Sequence, residues 1–184
     1  MEGRMTIMTN RPGVVAGGAR GRGRACAKVL GGAGARVSLA ARDAAKLEEV
    51  AYEIPGAMCI AIDLALPESI KEAFAKAGNV DILVNNAGIT KDGLAMRMKK
   101  DDWDAVLATN LTGAFLAIQQ VLPGMLKQRW GRIINISSVN GQTGHHGEST
   151  YVAPQAGVSG FPEWLVHERT RPPGTRTARA PGDT

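Results

Sequence analysis

Five short apolar runs, each followed by a stretch with helical spacing, constrain this chain more than any other feature. The runs are Val14-Val15, Val37 to Ala40, Met58 to Ile62, Ile82 to Val84 and Ile133 to Ile136. They are too short for helices, and their continuous apolar character suits strands covered on both faces. The intervening patterns predict helices over about 22–31, 44–53, 68–76, 101–109, 111–128 and 150–166. Alternation of this kind predicts βαβ units, and right-handed crossovers would place the helices on both faces of one doubly wound parallel sheet. The expected class is therefore α/β. A length of 184 residues with 44% hydrophobic content suits a single domain with an ample core. The organisation expected is an N-terminal extension over 1–12, one α/β domain over 13–166 and a disordered tail over 167–184.

Charge and composition narrow the function classes. The net charge is +5, but Arg169, Arg171, Arg176 and Arg179 against Asp183 give residues 169–184 a surplus of three, leaving +2 elsewhere. Without a basic stripe interleaved with aromatics, nucleic-acid binding is not expected. After Val166 the chain holds no Val, Ile, Leu, Met or Phe, so the tail has little apolar surface to offset the entropy of ordering and is expected as coil. The sequence contains no uninterrupted apolar run of membrane-spanning length and no apolar core in its first twelve residues, which predicts neither a membrane span nor a signal peptide, and a cytoplasmic address. Cys26 and Cys59 lack metal-ligand spacing and are expected as reduced core thiols, with no metal site.

Chemistry enters with Ala16-Gly17-Gly18-Ala19-Arg20-Gly21-Arg22-Gly23, which follows the first apolar run. Gly17, Gly21 and Gly23 would let the chain turn tightly, let backbone approach a pyrophosphate and let the next helix pack close to the sheet. An ordinary strand-to-helix turn is the competing reading. Downstream lie Asp81, Asn85-Asn86-Ala87-Gly88 after a strand, Asn110, Ser138 at a strand end, and Tyr151. In this order and at these intervals the motifs resemble the classical short-chain dehydrogenase/reductase family, over roughly 13–160. The stretch from Ile89 to Gly141 is most similar to the 3-oxoacyl-(acyl-carrier-protein) reductases and acetoacetyl-CoA reductases. The resemblance implies a Rossmann-like fold. It further implies a C-terminally truncated member, since the family continues with a sixth strand, a substrate lid and a seventh strand. Here Ala180-Pro181-Gly182 resembles the Pro-Gly that follows the sixth strand.

The resemblance assigns roles residue by residue. Asn86, Ala87 and Gly88 would line the adenine ribose, and Asp63 would meet the adenine amino group, unless it is only a strand-end turn or helix cap. No acid ends the second strand, where Ala40-Ala41-Arg42 stands; Arg42, helped by Arg20, can give charge-assisted bonds to a 2′-phosphate, so NADPH/NADP is expected rather than NAD. Solvated surface charge is the plainer reading of both arginines. Ser138 would orient the substrate carbonyl, Tyr151 would donate the proton, and Asn110 would hold a water.

The family places a lysine one helical turn after the tyrosine, where its charge lowers a phenol pKa from about 10. Here Gln155 stands at that position. An amide can still bond ribose hydroxyls but cannot tune the phenol, and losing a tuned acid costs on the order of 10²–10⁴ in rate. Pro154 adds a ring near the first turn of the same helix, and Arg22 stands where the family has an apolar residue. His145 and His146 lie in the loop between Ser138 and Tyr151, where paired histidines are more often merely exposed.

The substrate implied is a 3-oxoacyl thioester on acyl carrier protein or CoA, in fatty acid biosynthesis. Lys127 and Arg129 either face an acidic carrier or simply complement a helix C-terminus. A homo-oligomer formed through the helices over 111–128 and 150–166 is expected. A non-catalytic remnant that binds NADP or pairs with another subunit is the alternative.

Overall fold

The structure, a computed structural model, describes residues 8–91 and 93–138, with 153–154, 156–158, 160 and 176–180. Six parallel strands form one sheet in the order β3-β2-β1-β4-β5-β6, comprising β1 (Pro12–Ala16), β2 (Arg36–Ala41), β3 (Met58–Ala61), β4 (Ile82–Asn85), β5 (Arg132–Ser138) and β6 (Arg176–Ala180). Parallel neighbours require crossovers, which are supplied by α1 (Gly21–Gly32), α2 (Ala44–Ala51), α3 (Pro67–Ala77), α4 (Lys100–Leu107) and α5 (Gly113–Lys127). All five predicted strands are present.

The sheet has a core on each face because successive strand residues point opposite ways. Val15, Leu39, Ile82 and Val84 pack with Ala27 of α1 and with Leu47 and Val50 of α2. On the other face Val14, Leu83 and Ile133 meet Ile70 and Phe74 of α3 and Ala117, Ile118, Val121 and Met125 of α5. Each fully buried aliphatic side chain here contributes roughly 1.5–3 kcal/mol. The predicted helices over 101–109 and 111–128 run on as one unit, α4 and α5 joined by a π-helical turn at Ala108–Thr112. Across this unit, Lys100–Lys127, one 18-residue window reaches a mean hydropathy of 1.4, with 39% of it buried.

The far end of the sheet, where the strands begin, is fastened by a buried acid. Asp81 accepts hydrogen bonds from Arg11 Nη1 at 3.0 Å, Asn79 Nδ2 at 3.1 Å and Gln128 Nε2 at 2.6 Å. Arg11 and Arg132 lie over the Trp130 ring at 4.0 and 4.8 Å, a cation–π cluster that ties β1 to β5.

Two expectations are corrected here. Residues 176–180 form β6 on the free edge of β5, in register from Ile134↔Arg176 to Ser138↔Ala180, rather than coil. A parallel ladder satisfies backbone groups without aliphatic side chains, and charged residues are common on edge strands, so composition alone misjudged this segment. Cys59 is exposed rather than in the core, because β3 is the opposite edge of the sheet. Cys26 is half-buried, and burial pushes both thiols above their ordinary pKa. Of the helix predicted over 150–166, positions 153–154, 156–158 and 160 are helical.

Candidate functional site

The strand order reverses at β1, which pairs with β2 on one side and β4 on the other. In open α/β sheets the crevice at the carboxyl ends of strands around such a point is the usual ligand site. A cleft of about 360 Å³ lies there, walled by Gly17, Ala19 and Arg20 after β1, Ala41, Arg42 and Asp43 after β2, Ile62 to Leu64 after β3, and Asn86 to Ile89 after β4. Thr109, from the π turn, closes one side.

The glycine turn is built to the point where no side chain fits. Gly17 has φ +75°, and a Cβ there would come within 2.8 Å of Ala87 Cα and 2.9 Å of Asn86 Nδ2. At Gly23 a Cβ would run into the Gly17 carbonyl oxygen. Asn86 Nδ2 donates to that same oxygen at 3.2 Å, so the turn after β1 and the loop after β4 are held as one wall. This close packing forms a cradle of bare backbone next to the first turn of α1, a surface that an anion can approach. Arg22 is exposed and leaves the cradle clear.

Asn110 is 4% exposed and sits in the π turn, a helix irregularity frequent at functional sites. Its Oδ1 accepts from Ile89 N at 2.8 Å and its Nδ2 donates to Ile89 O at 2.9 Å. The amide therefore clamps the loop of Gly88 and Ile89 with both of its ends. Beneath, Asn85 Nδ2 donates to Asn135 Oδ1 at 2.9 Å between register partners of β4 and β5. Asn85 Oδ1 and Asn135 Nδ2 are buried without hydrogen-bond partners.

Electrostatics distinguish the two arginines of the cleft. Arg42 is exposed and enters no ion pair among the described residues. Arg20 Nη2 lies 3.5 Å from Asp43 Oδ2, an ion pair across the mouth of the cleft. Asp43 also N-caps α2, accepting from Lys46 N at 3.2 Å, and pairs with Lys46 Nζ at 3.0 Å. Hydrogen bonds from Lys46, with the charges of Lys46 and Arg20 behind them, hold the Asp43 carboxyl below its ordinary range. Asp63 Oδ1 accepts from Ala65 N at 2.9 Å, and its own N–H donates to Ser69 Oγ at 2.9 Å, so it does shape a strand-end turn while lining the cleft.

The family model for short chain dehydrogenase matches residues 13–174. The chain belongs to the short chain dehydrogenase family. Among curated relatives, the 3-oxoacyl-(acyl-carrier-protein) reductase FabG of Staphylococcus epidermidis is 42% identical over 182 residues, covering 94% of this chain and 75% of that protein. That of Aquifex aeolicus is 45% identical over 164 residues, covering 84% of this chain and 66% of the relative. Among solved structures, a metagenomic short-chain oxidoreductase in complex with NADP superposes with a TM-score of 0.85 at 34% identity, covering 96% of this chain and 84% of its own. A short chain dehydrogenase/reductase family protein gives 0.87 at 28% identity, covering 97% and 74%.

Within this dehydrogenase family fold, the cleft brings together Gly17, Arg20, Arg42, Asp63, Asn86, Ala87 and Gly88, with Gly21 and Gly23 opening α1 beside it. Ser138 is the last residue of β5, on the same carboxyl edge of the sheet. Tyr151, Gln155, His145 and His146 lie outside the described residues. Gly157, two positions beyond Gln155, packs against Leu111, the neighbour of Asn110, so the segment after Gln155 adjoins the π turn. Sequence reasoning missed Asp43. Its position before α2 marks it as a helix cap, but only the fold brings it to Arg20.

Proposed function

We propose that this chain is an NADPH-dependent reductase of 3-oxoacyl thioesters, carried on acyl carrier protein or CoA, forming the 3-hydroxyacyl thioester in fatty acid biosynthesis. The observation that carries the reading is the cradle of Gly17, Gly23 and Asn86 beside Arg42, which enters no ion pair among the described residues, in a chain over 40% identical to 3-oxoacyl reductases. The residues fit a dinucleotide. Gly17, Gly21 and Gly23 would admit its pyrophosphate, Asn86 to Gly88 would line its ribose, Asp63 would meet its adenine, and Arg42 with Arg20 would hold the 2′-phosphate.

When bound, a reduced nicotinamide supplies a hydride to the ketone carbon. Ser138 Oγ would donate a hydrogen bond to the carbonyl oxygen, stabilising the charge that develops there. The Tyr151 hydroxyl would deliver the proton to that oxygen, and Gln155 would bond ribose hydroxyls without lowering the phenol pKa. With the Asn110 side chain spent on Ile89, its main chain in the π turn would be what holds the water.

Gln155 favours a second reading within the same family, a nucleotide-binding chain with little turnover that pairs with other subunits through the helices over 111–128 and 150–166. NADPH oxidation with an acetoacetyl thioester, by this chain and by Gln155→Lys, separates the two. Wild-type turnover supports the reductase. Gain of 10²-fold or more in the variant locates the defect at Gln155. Silence of both folded proteins, with NADPH bound, supports the pairing role, which size-exclusion chromatography with a full-length reductase then tests.

A further inference from the structure

The cleft carries its own anion. Asp43 reaches from the lip after β2 to Arg20 on the lip after β1, so a carboxylate already stands on one of the two guanidinium groups facing this end of the cleft. Two cations hold it, since Lys46 Nζ lies at 3.0 Å from the same carboxylate that Arg20 approaches at 3.5 Å. A phosphomonoester, with a charge near −2 at neutral pH, offers Arg20 the same bidentate oxygen chemistry as the carboxylate, with more charge. We propose that Asp43 is a specificity-determining residue, an internal competitor that a 2′-phosphate must displace from Arg20, and that it narrows this protein's preference for NADPH over NADH. The inference rests on the NADP(H) reading above.

Three features of the site support displacement rather than a permanent block. Arg20 and Asp43 are both substantially exposed, so their mutual attraction is screened and weak. Lys46 remains as a partner for the carboxylate once Arg20 swings away, because it holds Asp43 through both its backbone N–H and its ammonium. Arg42, exposed and outside any ion pair among the described residues, can receive the phosphate first. The opposite role, Asp43 accepting bonds from the adenine ribose diol, would make it a ligand of NADH instead of a competitor against NADPH.

Asp43→Asn tests the two roles, because asparagine caps a helix as well as aspartate does and so preserves α2. Dissociation constants for NADPH and NADH, read by nucleotide fluorescence on the folded protein, are the measurement. The variant should bind NADPH about three- to fivefold more tightly, the range open to an exposed ion pair, and NADH within about twofold of wild type. In an Arg20→Gln background the same change should give less than half of that gain, since the competition acts through Arg20. Unchanged NADPH affinity, weakened NADH binding, or an equal gain with and without Arg20 would each overturn the proposal. A wild-type protein and variant that bind NADH but not NADPH would instead overturn the cofactor reading, and the competitor role with it.

Discussion

Single residues decide how this cleft differs from a generic nucleotide crevice. Gly17 and Gly23 were legible from spacing because their requirement is local; a side chain at either would enter backbone only a few residues away or in the adjoining strand loop. Asp43 was not, since its significance lies in a 3.5 Å approach to a residue on another loop. Glu53 illustrates a similar long-range pairing outside the site, joining the end of α2 to Arg24 and Lys28 of α1. Hydrogen bonds from Arg24 and then Lys28 hold its carboxyl below the ordinary range. A carboxyl depressed in the folded state stabilises fully above its unfolded pKa and loses that contribution as pH falls through the folded value. Glu53→Gln should therefore lower the melting temperature slightly at pH 7. The difference from wild type should shrink as pH falls below the ordinary glutamate pKa of about 4.3 and vanish once the folded carboxyl is protonated, checked by thermal melts across the acid range.

The helices and strands were legible wherever apolar side chains hold them. Val37 to Ala40 and Ile82 to Val84 are the interior of β2 and β4, and their buried residues are those the runs marked. The π turn at Ala108–Thr112 left no trace in the apolar pattern, because its reason is the grip of Asn110 on Ile89. The start of α1 yields a prediction at this scale. Gly21 has φ +49° with nothing within 4 Å of a built Cβ, whereas Gly23 has ordinary φ but no room. Gly21→Ala should cost about 1–2 kcal/mol, the penalty of left-handed backbone, without displacing any neighbour. Gly23→Ala should cost roughly 1–3 kcal/mol or more through overpacking and abolish binding, because the cradle must open to admit the methyl group. Chemical denaturation alongside NADPH titration tests both, and equal behaviour of the two variants would contradict the packing account.

Across the whole molecule the doubly wound parallel sheet followed from the alternation of patterns, except for its last strand. β6 holds no Val, Ile, Leu, Met or Phe and was invisible to a reading based on burial. Its pairing makes β5 an interior strand, leaving β3 as the exposed aliphatic-bearing edge. Hydrogen exchange should therefore protect the amides of Ile134 to Ser138 more strongly than those of Met58 to Ala61. Exchange at β5 as fast as at β3 would mean that the tail does not dock.

The two rims of this sheet bear different duties. Asp81, with Arg11, Asn79 and Gln128 on its oxygens and Trp130 under two guanidinium groups nearby, fastens the rim where strands begin. The glycine cradle, Arg42 and Ser138 occupy the rim where strands end. Fastening and the cleft are thus separated by the length of the strands, which leaves the cleft rim free to vary at little risk to the fold. The molecule can change its trade without rebuilding its house.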